Sequence, residues 1–123
     1  MSTPHTVLVL GASPNRRRYS NEAVRQLQSL GYRVIPVHPV ADEIEGLPVV
    51  HRLDEVSEPV DTLALYLGPQ RSAGLAEAMV ALQPGRVIFN PGTEAPDLER
   101  RLSDAGLTCI RACVLVMLRS GTF

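Results

Sequence analysis

The stretch VLVLGASPNRRRYSN, residues 7–21, carries the pattern that decides the fold. Four apolar residues lead into Gly11, which is typical of a buried strand that ends at a tight turn. After the loop, apolar residues recur at helical spacing, namely Ala23, Leu27 and Leu30. Gly31 then ends the predicted helix. A buried strand, a glycine-containing loop and a helix in this order indicate the start of a nucleotide-binding α/β fold.

The same alternation continues to the end of the chain. Apolar segments predict further strands at residues 32–37, 48–51, 61–67, 86–89 and 107–110. Helical spacing predicts one helix that opens at Gly68-Pro69 and buries Leu75, Met79 and Leu82, and another that buries Leu98, Leu102 and Ala105. We therefore expect residues 1–123 to form a single domain, a Rossmann-like three-layer α/β sandwich with a mostly parallel sheet of five to six strands.

Composition excludes several classes of protein. The chain has 123 residues, 45% of them hydrophobic, and a formal net charge of −1, which argues against disorder and against bulk binding to nucleic acid or membrane. No apolar run reaches the ~20 residues of a membrane span. Two cysteines are too few for a disulfide framework, and their spacing is not that of a zinc site. The start, MSTPHT, lacks the features of a signal peptide, so we expect a cytoplasmic protein.

A ligand of such a fold binds beyond the carboxyl ends of the strands, here in the loops at residues 11–19, 38–40, 68–71 and 90–94. The first loop reads G-A-S-P-N-R, which lacks the later glycines of the dinucleotide fingerprint G-x-G-x-x-G. His38 and Pro39 stand where a dinucleotide-binding protein needs a ribose-binding acid, and Asp42 comes four residues later. The sequence therefore argues against NAD.

The first loop favours a phosphate-rich ligand of another kind. Ser13 offers a hydroxyl and a backbone amide, and the helix that begins near Ser20 directs its unpaired amides toward an anion. Arginines form charge-assisted contacts with phosphate oxygens, and three stand here in a row, Arg16, Arg17 and Arg18. The alternative is that the arginines are only solvated.

Several segments carry a resemblance to a known family. They are GASPNRRRYSNEAVRQLQSLGYRVIPVHP (11–39), GLPVVHRLDEV (46–56), VDTLALYL (60–67), FNPG (89–92) and LSDAGLTCIRACVLVML (102–118). Together they resemble the small stand-alone CoA-binding domain proteins, which are similar to the CoA-binding domain of the succinyl-CoA synthetase alpha subunit. The resemblance covers nearly the whole chain.

The resemblance implies a set of CoA-binding residues. Those around the diphosphate would be Gly11, Ala12, Ser13, Arg16, Arg17, Arg18 and Ser20. Those beside the adenosine end, with its 3′-phosphate, would be Val37, His38 and Pro39. The adenine or pantetheine would follow Leu67, Gly68 and Pro69, and the far side would be closed by Asn90, Pro91 and Gly92. The synthetase has a lysine after its second strand, whereas this chain has no lysine, so His38 or a first-loop arginine would replace it.

No set of nucleophile, base and orienting group is evident, so we expect a CoA or acyl-CoA binding protein without chemistry of its own. The alternatives are a nicotinamide-nucleotide binding protein with a degenerate fingerprint and an accessory subunit of an acyl-CoA ligase. Cys113 is either a small buried apolar residue or a thiol near the sulfur end of CoA. The tail CVLVML (113–118) is a candidate docking strip for a second copy in a homo-oligomer.

Overall fold

The computed structural model describes residues 5–123, and its strands fall into two sheets. The strands are β1 (Thr6–Leu10), β2 (Arg33–Val37), β3 (Glu43–Ile44), β4 (Leu47–Pro48), β5 (Thr62–Leu65), β6 (Arg86–Phe89) and β7 (Cys109–Arg111). The main sheet has five strands in the order β2-β1-β5-β6-β7, and every neighbouring pair in it is parallel. The start of the chain, on which the expectation about a signal peptide rests, lies outside the described residues.

Helices cover both faces of this sheet. They are α1 (Tyr19–Ser29), α2 (Pro69–Ser72), α3 (Ala76–Leu82), α4 (Pro96–Asp104) and α5 (Val114–Ser120). Because side chains alternate along a strand, Leu8 and Leu10 pack in the cluster that contains α3 and α4, whereas Val7 and Val9 pack in the cluster that contains α1 and α5. The expected Rossmann-like three-layer sandwich is confirmed, with five strands in its main sheet.

The strand expected at residues 48–51 takes a different form. The chain makes a small antiparallel hairpin from β3 and β4, and only a single bridge, from Val50 to Val37, extends the main sheet. The turn of the hairpin consists of Glu45 and Gly46, both with positive φ (50° and 79°). Two such residues make the tight turn whose twist matches that of paired strands. The prediction missed the hairpin because Glu is not typical of this turn.

Two predicted helical faces end earlier than expected. Leu30 and Ala105 are the C-cap residues of α1 and α4, and both are exposed, because the chain turns away from the core at each helix end. The helix that opens at Gly68-Pro69 is interrupted by a 3-10 turn, Ala73–Leu75, which contains Gly74. Its Met79 is nonetheless fully buried.

The apolar tail at 113–118 forms most of α5 instead of a free strip. Val114 and Leu115 are buried, and Met117 and Leu118 pack against the same core cluster, while Val116 stays 56% exposed. Most of this apolar surface is therefore used within the chain.

Within residues 5–123, no helix combines the length and the apolar character needed to cross a membrane. The same residues contain no group of three or more His, Cys, Asp or Glu side chains arranged to hold a metal ion.

Candidate ligand-binding cleft

A cleft of about 780 Å³ lies at the carboxyl edge of the main sheet. It spans the ends of β1, β2, β5 and β6, and therefore includes the point between β1 and β5 where the strand order reverses. Its lining residues are Gly11, Ala12, Ser13, Arg18, Tyr19, Ser20, His38, Pro39, Tyr66, Leu67, Gly68, Pro69, Gln70, Arg71, Pro91, Gly92 and Thr93. The size is within the ~300–1,000 Å³ that is usual for small-molecule sites.

Gly11 begins the β1–α1 loop (residues 11–18) in a conformation that other residues rarely adopt, with φ +94°. A Cβ at this position would lie 3.0 Å from the carbonyl carbon of Tyr66 and 3.0 Å from Cδ2 of Leu67. Gly11 is thus required by the close approach of the β5 end, before any ligand is considered.

Backbone amides in this region are left without partners. Among the described residues, the N–H groups of Ala12, Ser13, Tyr19 and Ser20 donate no hydrogen bond. The last two begin α1, where Arg18 is an N-cap in extended conformation whose side chain makes no capping bond. Free amides at the positive end of a helix dipole favour an anion.

The β1–α1 loop holds its shape through two short-range bonds. The N–H of Asn15 donates to Oγ of Ser13 at 3.1 Å, and the N–H of Arg17 donates to Oδ1 of Asn15 at 3.0 Å. The Ser13 hydroxyl hydrogen is still free to donate elsewhere.

Only one arginine of the triplet lines the cleft. Arg18 does so, whereas Arg16 is paired with Glu45, with 3.7 Å between Nε and Oε2. Arg17 is exposed and lies outside the cleft lining. A second cation, Arg71, comes from α2, in a segment that the sequence placed at the ligand without naming Arg71 as a contact. In the part of the chain that the structure describes, no carboxylate lies within 4.0 Å of either Arg18 or Arg71.

His38 presents one ring nitrogen to its own loop. Its Nδ1 accepts from the N–H of Val40 at 3.1 Å and from the N–H of Ala41 at 2.9 Å. This assigns the neutral tautomer with the proton on Nε2, so that Nε2–H can donate to a ligand. Asp42 does not line the cleft, and its carboxylate lies 3.1 Å from Nε2 of His51.

Two expected contact residues lie beneath the cleft instead of on its wall. Val37 is 5% exposed, because it is an inward-facing residue of β2. Asn90 is 2% exposed, and its side-chain amide is hydrogen-bonded to the backbone at both ends. Its Nδ2 donates to the Leu65 carbonyl at 3.0 Å, and its Oδ1 accepts from the Val114 N–H at 2.9 Å. Both residues therefore support the cleft from below.

Five lining residues were not among the CoA contacts expected from the sequence: Tyr19, Tyr66, Gln70, Arg71 and Thr93. Four of them lie within the loops that the sequence placed at the ligand, and Tyr66 directly precedes the predicted contact residue Leu67. Tyr66 differs from the rest because its hydroxyl is buried and has no hydrogen-bond partner among the described residues. Burial raises the pKa of Tyr66 above its ordinary value, and the charges of Cys113 and Glu22 raise it further.

Cys113 is absent from the cleft lining. It is half-buried at the N-cap of α5, in the apolar cluster that also contains Tyr66. The neighbouring arginines are engaged elsewhere, since Arg111 is paired with Glu99 and Arg119 with Glu22.

Comparison with known proteins gives a family match and related folds. The model of the CoA-binding domain family matches residues 5–119. The protein YneT of Bacillus subtilis (strain 168), itself described as uncharacterized, is 27% identical over 104 residues, which cover 85% of this chain and 77% of YneT.

Solved structures agree with the fold. A crystal structure of a protein also described as uncharacterized is 40% identical, with a TM-score of 0.92 over 99% of this chain and 100% of that one. A dinucleotide-forming acetyl-coenzyme A synthetase of Ca. Korarchaeum cryptofilum has a TM-score of 0.76 at 21% identity, over 86% of this chain but 25% of the synthetase. The second likeness concerns the fold alone.

Proposed function

Because the chain belongs to the CoA-binding domain family, we propose that it binds coenzyme A, free or as an acyl-CoA, in the cleft at the carboxyl edge of the sheet. The sixteen residues that the sequence assigned to CoA include twelve that line this cleft, and the cleft is lined from all four of the loops expected to meet the ligand.

The observation that carries the proposal is the electrostatic character of the cleft. Unpartnered amides of Ala12, Ser13, Tyr19 and Ser20 meet there with the guanidinium groups of Arg18 and Arg71. Among the described lining residues, none is Asp or Glu. Donors and cations without acidic partners favour a ligand with several phosphates. CoA carries a diphosphate and a 3′-phosphate.

The ligand would lie across the sheet. We assign the diphosphate to the β1–α1 loop and the start of α1, where the free amides are. The 3′-phosphate would receive Nε2–H of His38, because Nδ1 is already occupied. Pantetheine would then follow the less polar wall formed by Leu67, Pro69 and Pro91.

A nicotinamide dinucleotide fits this cleft less well. Its adenosine ribose needs a carboxylate at the end of β2, and the next carboxylate along the chain, that of Asp42, lies 3.1 Å from Nε2 of His51. NAD also lacks the 3′-phosphate that would use His38.

Calorimetric titration with CoA, acetyl-CoA and NAD at one ionic strength tests the proposal. We expect CoA and acetyl-CoA to bind and NAD to bind at least tenfold more weakly. Affinity for CoA should fall as salt is raised, because the contacts are largely ionic. Tighter binding of NAD than of CoA would refute the assignment. Native mass spectrometry of protein purified from its own host would show whether the retained ligand has the mass of CoA or of an acyl-CoA.

We propose that the protein binds its ligand without catalysing a reaction, that it is cytoplasmic, and that it assembles into a homo-oligomer. Incubation with acetyl-CoA, followed by quantification of released CoA, tests whether the protein hydrolyses an acyl-CoA. Cell fractionation tests the cytoplasmic location, and sedimentation analysis tests the oligomeric state.

A further inference from the structure

We propose that Glu45, in the turn between β3 and β4, is a positioning residue for the β1–α1 loop and acts on it through Asn21. The inference rests on the proposed binding of CoA and concerns how the loop that meets the diphosphate keeps its orientation. It assigns a function to the hairpin, which is otherwise only part of the connection between β2 and β5.

Asn21 links the hairpin to the loop. It is fully buried in the first turn of α1, and its Nδ2 donates to the Ser13 carbonyl at 2.9 Å and to Oε2 of Glu45 at 3.2 Å. Its Oδ1 accepts from Nε of Arg25 at 2.8 Å. The amide has a single possible orientation, because its Nδ2 faces two acceptors and its Oδ1 faces a donor. Both hydrogens of Nδ2 are used in these bonds.

The bond to Ser13 fixes the direction of a carbonyl whose own peptide unit has no N–H, because the next residue is Pro14. Asn21 holds the Ser13 carbonyl, so this oxygen is not free to turn toward a bound phosphate. The N–H groups of Ala12 and Ser13 remain unpartnered beside the cleft. A carbonyl oxygen repels a phosphate, whereas an N–H binds it, so the affinity for an anion depends on keeping the Ser13 oxygen turned away from these N–H groups.

Glu45 also fixes the other end of the loop. Its Oε2 lies 3.7 Å from Nε of Arg16, and Nη2 of Arg25 donates to the Arg16 carbonyl at 3.2 Å. The loop is thus held at Ser13 and at Arg16 by one connected set of polar side chains. In this arrangement Arg16 braces the loop, and Arg18 is left to meet the ligand.

The backbone at Glu45 points to a role for this side chain. Its φ of 50° is unfavourable for a residue with a long side chain, and Asn or Gly adopts it more readily. Strain of this kind persists where surrounding contacts require it. At Glu45 the required contacts are those to Asn21 and Arg16.

Three variants test the inference: Glu45→Asn, Glu45→Gln and, as the matched control, Glu43→Asn. Asn suits the turn but is too short to reach Asn21, whereas Gln keeps an acceptor oxygen of the same reach. Glu43 lies on the same hairpin and has no ion-pair partner among the described residues. The measurements are the dissociation constants for CoA and for dephospho-CoA, and the thermal midpoint of unfolding.

We expect Glu45→Asn to bind CoA about tenfold more weakly at an unchanged or higher thermal midpoint, since a bond to a charged group is lost while the turn is relieved. Dephospho-CoA should lose the same factor, because it carries the same diphosphate. Glu45→Gln should stay within about threefold of the parent protein, as the bond to Asn21 is retained. Glu43→Asn should bind like the parent.

Unchanged CoA binding by Glu45→Asn overturns the inference and leaves the proposed function intact. A loss of CoA affinity that Glu43→Asn shows as well has the same meaning, and so does a loss of affinity for CoA but not for dephospho-CoA. Failure of the parent protein to bind either ligand overturns the proposed function itself, and the inference with it.

Discussion

The side chain of Asn90 accepts a hydrogen bond from the backbone N–H of Val114 at 2.9 Å, within the core. The same amide donates to the Leu65 carbonyl at 3.0 Å, so one side chain joins the ends of β5 and β6 to the start of α5. Asn90 stands next to Pro91 and Gly92, which line the cleft. The residue therefore contributes to the stability of the cleft floor.

Replacement of Asn90 by Ala should lower the free energy of unfolding by about 2–4 kcal/mol, because it leaves a buried N–H and a buried carbonyl without partners. Denaturant unfolding measures the change. Asn15→Ala serves as the control, since Asn15 is exposed and accepts a single loop bond. A loss of CoA affinity at unchanged stability would instead mean that Asn90 touches the ligand directly.

The arginines should differ in their effect on binding. We expect Arg18→Ala and Arg71→Ala each to weaken CoA binding about tenfold, because each removes a charge-assisted contact from the cleft. Arg17→Ala should have little effect, since its side chain is outside the lining residues. Titration calorimetry at two salt concentrations measures this, and the two cleft variants should show a weaker salt dependence than the parent. Equal losses at all three positions would contradict the assignment.

Glycine positions offer a test that leaves the fold intact. A Cβ at Gly68 or at Gly74 meets no protein atom within 4 Å, but only Gly68 lines the cleft. Gly68→Leu should reduce CoA affinity at least tenfold while changing the free energy of unfolding by no more than about 1 kcal/mol. Gly74→Leu is the matched control and should bind normally. Gly11→Val is a poorer test, because its side chain would overlap Tyr66 and Leu67 in the protein alone.

Reaction with CoA disulfide tests whether Cys113 is a packing residue or a thiol near the sulfur end of bound CoA. If bound CoA ends near Tyr66, the Cys113 thiolate attacks one disulfide sulfur, a mixed disulfide forms, and a CoA thiolate leaves. We expect one CoA mass to be added, and Cys113→Ser to prevent this while Cys109→Ser does not, since burial raises the pKa of Cys109 and keeps it protonated. Intact-mass measurement decides. An adduct that follows Cys109, or none at all, assigns Cys113 to packing.

Glu99 should make the free energy of unfolding depend on pH in the acidic range. Arg111 donates to both of its carboxylate oxygens at 2.9 Å, and this hydrogen bonding lowers the pKa of Glu99, with burial opposing. A carboxyl group whose pKa is lower in the folded state stabilises the fold above its unfolded pKa of about 4.3, and the stabilisation is lost as the pH falls further. The free energy of unfolding should be higher for the wild type than for Glu99→Gln at pH 7, and the difference should shrink as the pH falls below about 4.3. A constant difference across this range would show that the ion pair is not responsible.

Much of the fold was predictable because its signals are local. The apolar run of β1, the helical spacing of Ala23 and Leu27, and the glycine at the end of α1 each lie within a few residues. Parallel strands place their carboxyl ends at one edge, so the four loops of the cleft followed from element order alone. Errors fell at helix ends, such as Leu30, where spacing continues after the chain has left the core, and at residues 48–51, where the hairpin of β3 and β4 replaces the expected strand.

What the sequence by itself determined is the layered α/β architecture, the edge of the sheet at which the cleft lies, and the resemblance to a CoA-binding family, because periodicity and motifs are properties of short segments. Tertiary structure alone decided which polar groups face the cleft. Arg16 and Arg18 are two residues apart, yet one pairs with Glu45 and the other lines the cleft. Asn21 meets a glutamate 24 positions away because a strained turn brings the hairpin against α1. Such partners are selected by packing across the fold, where distance in sequence gives no guide to distance in space.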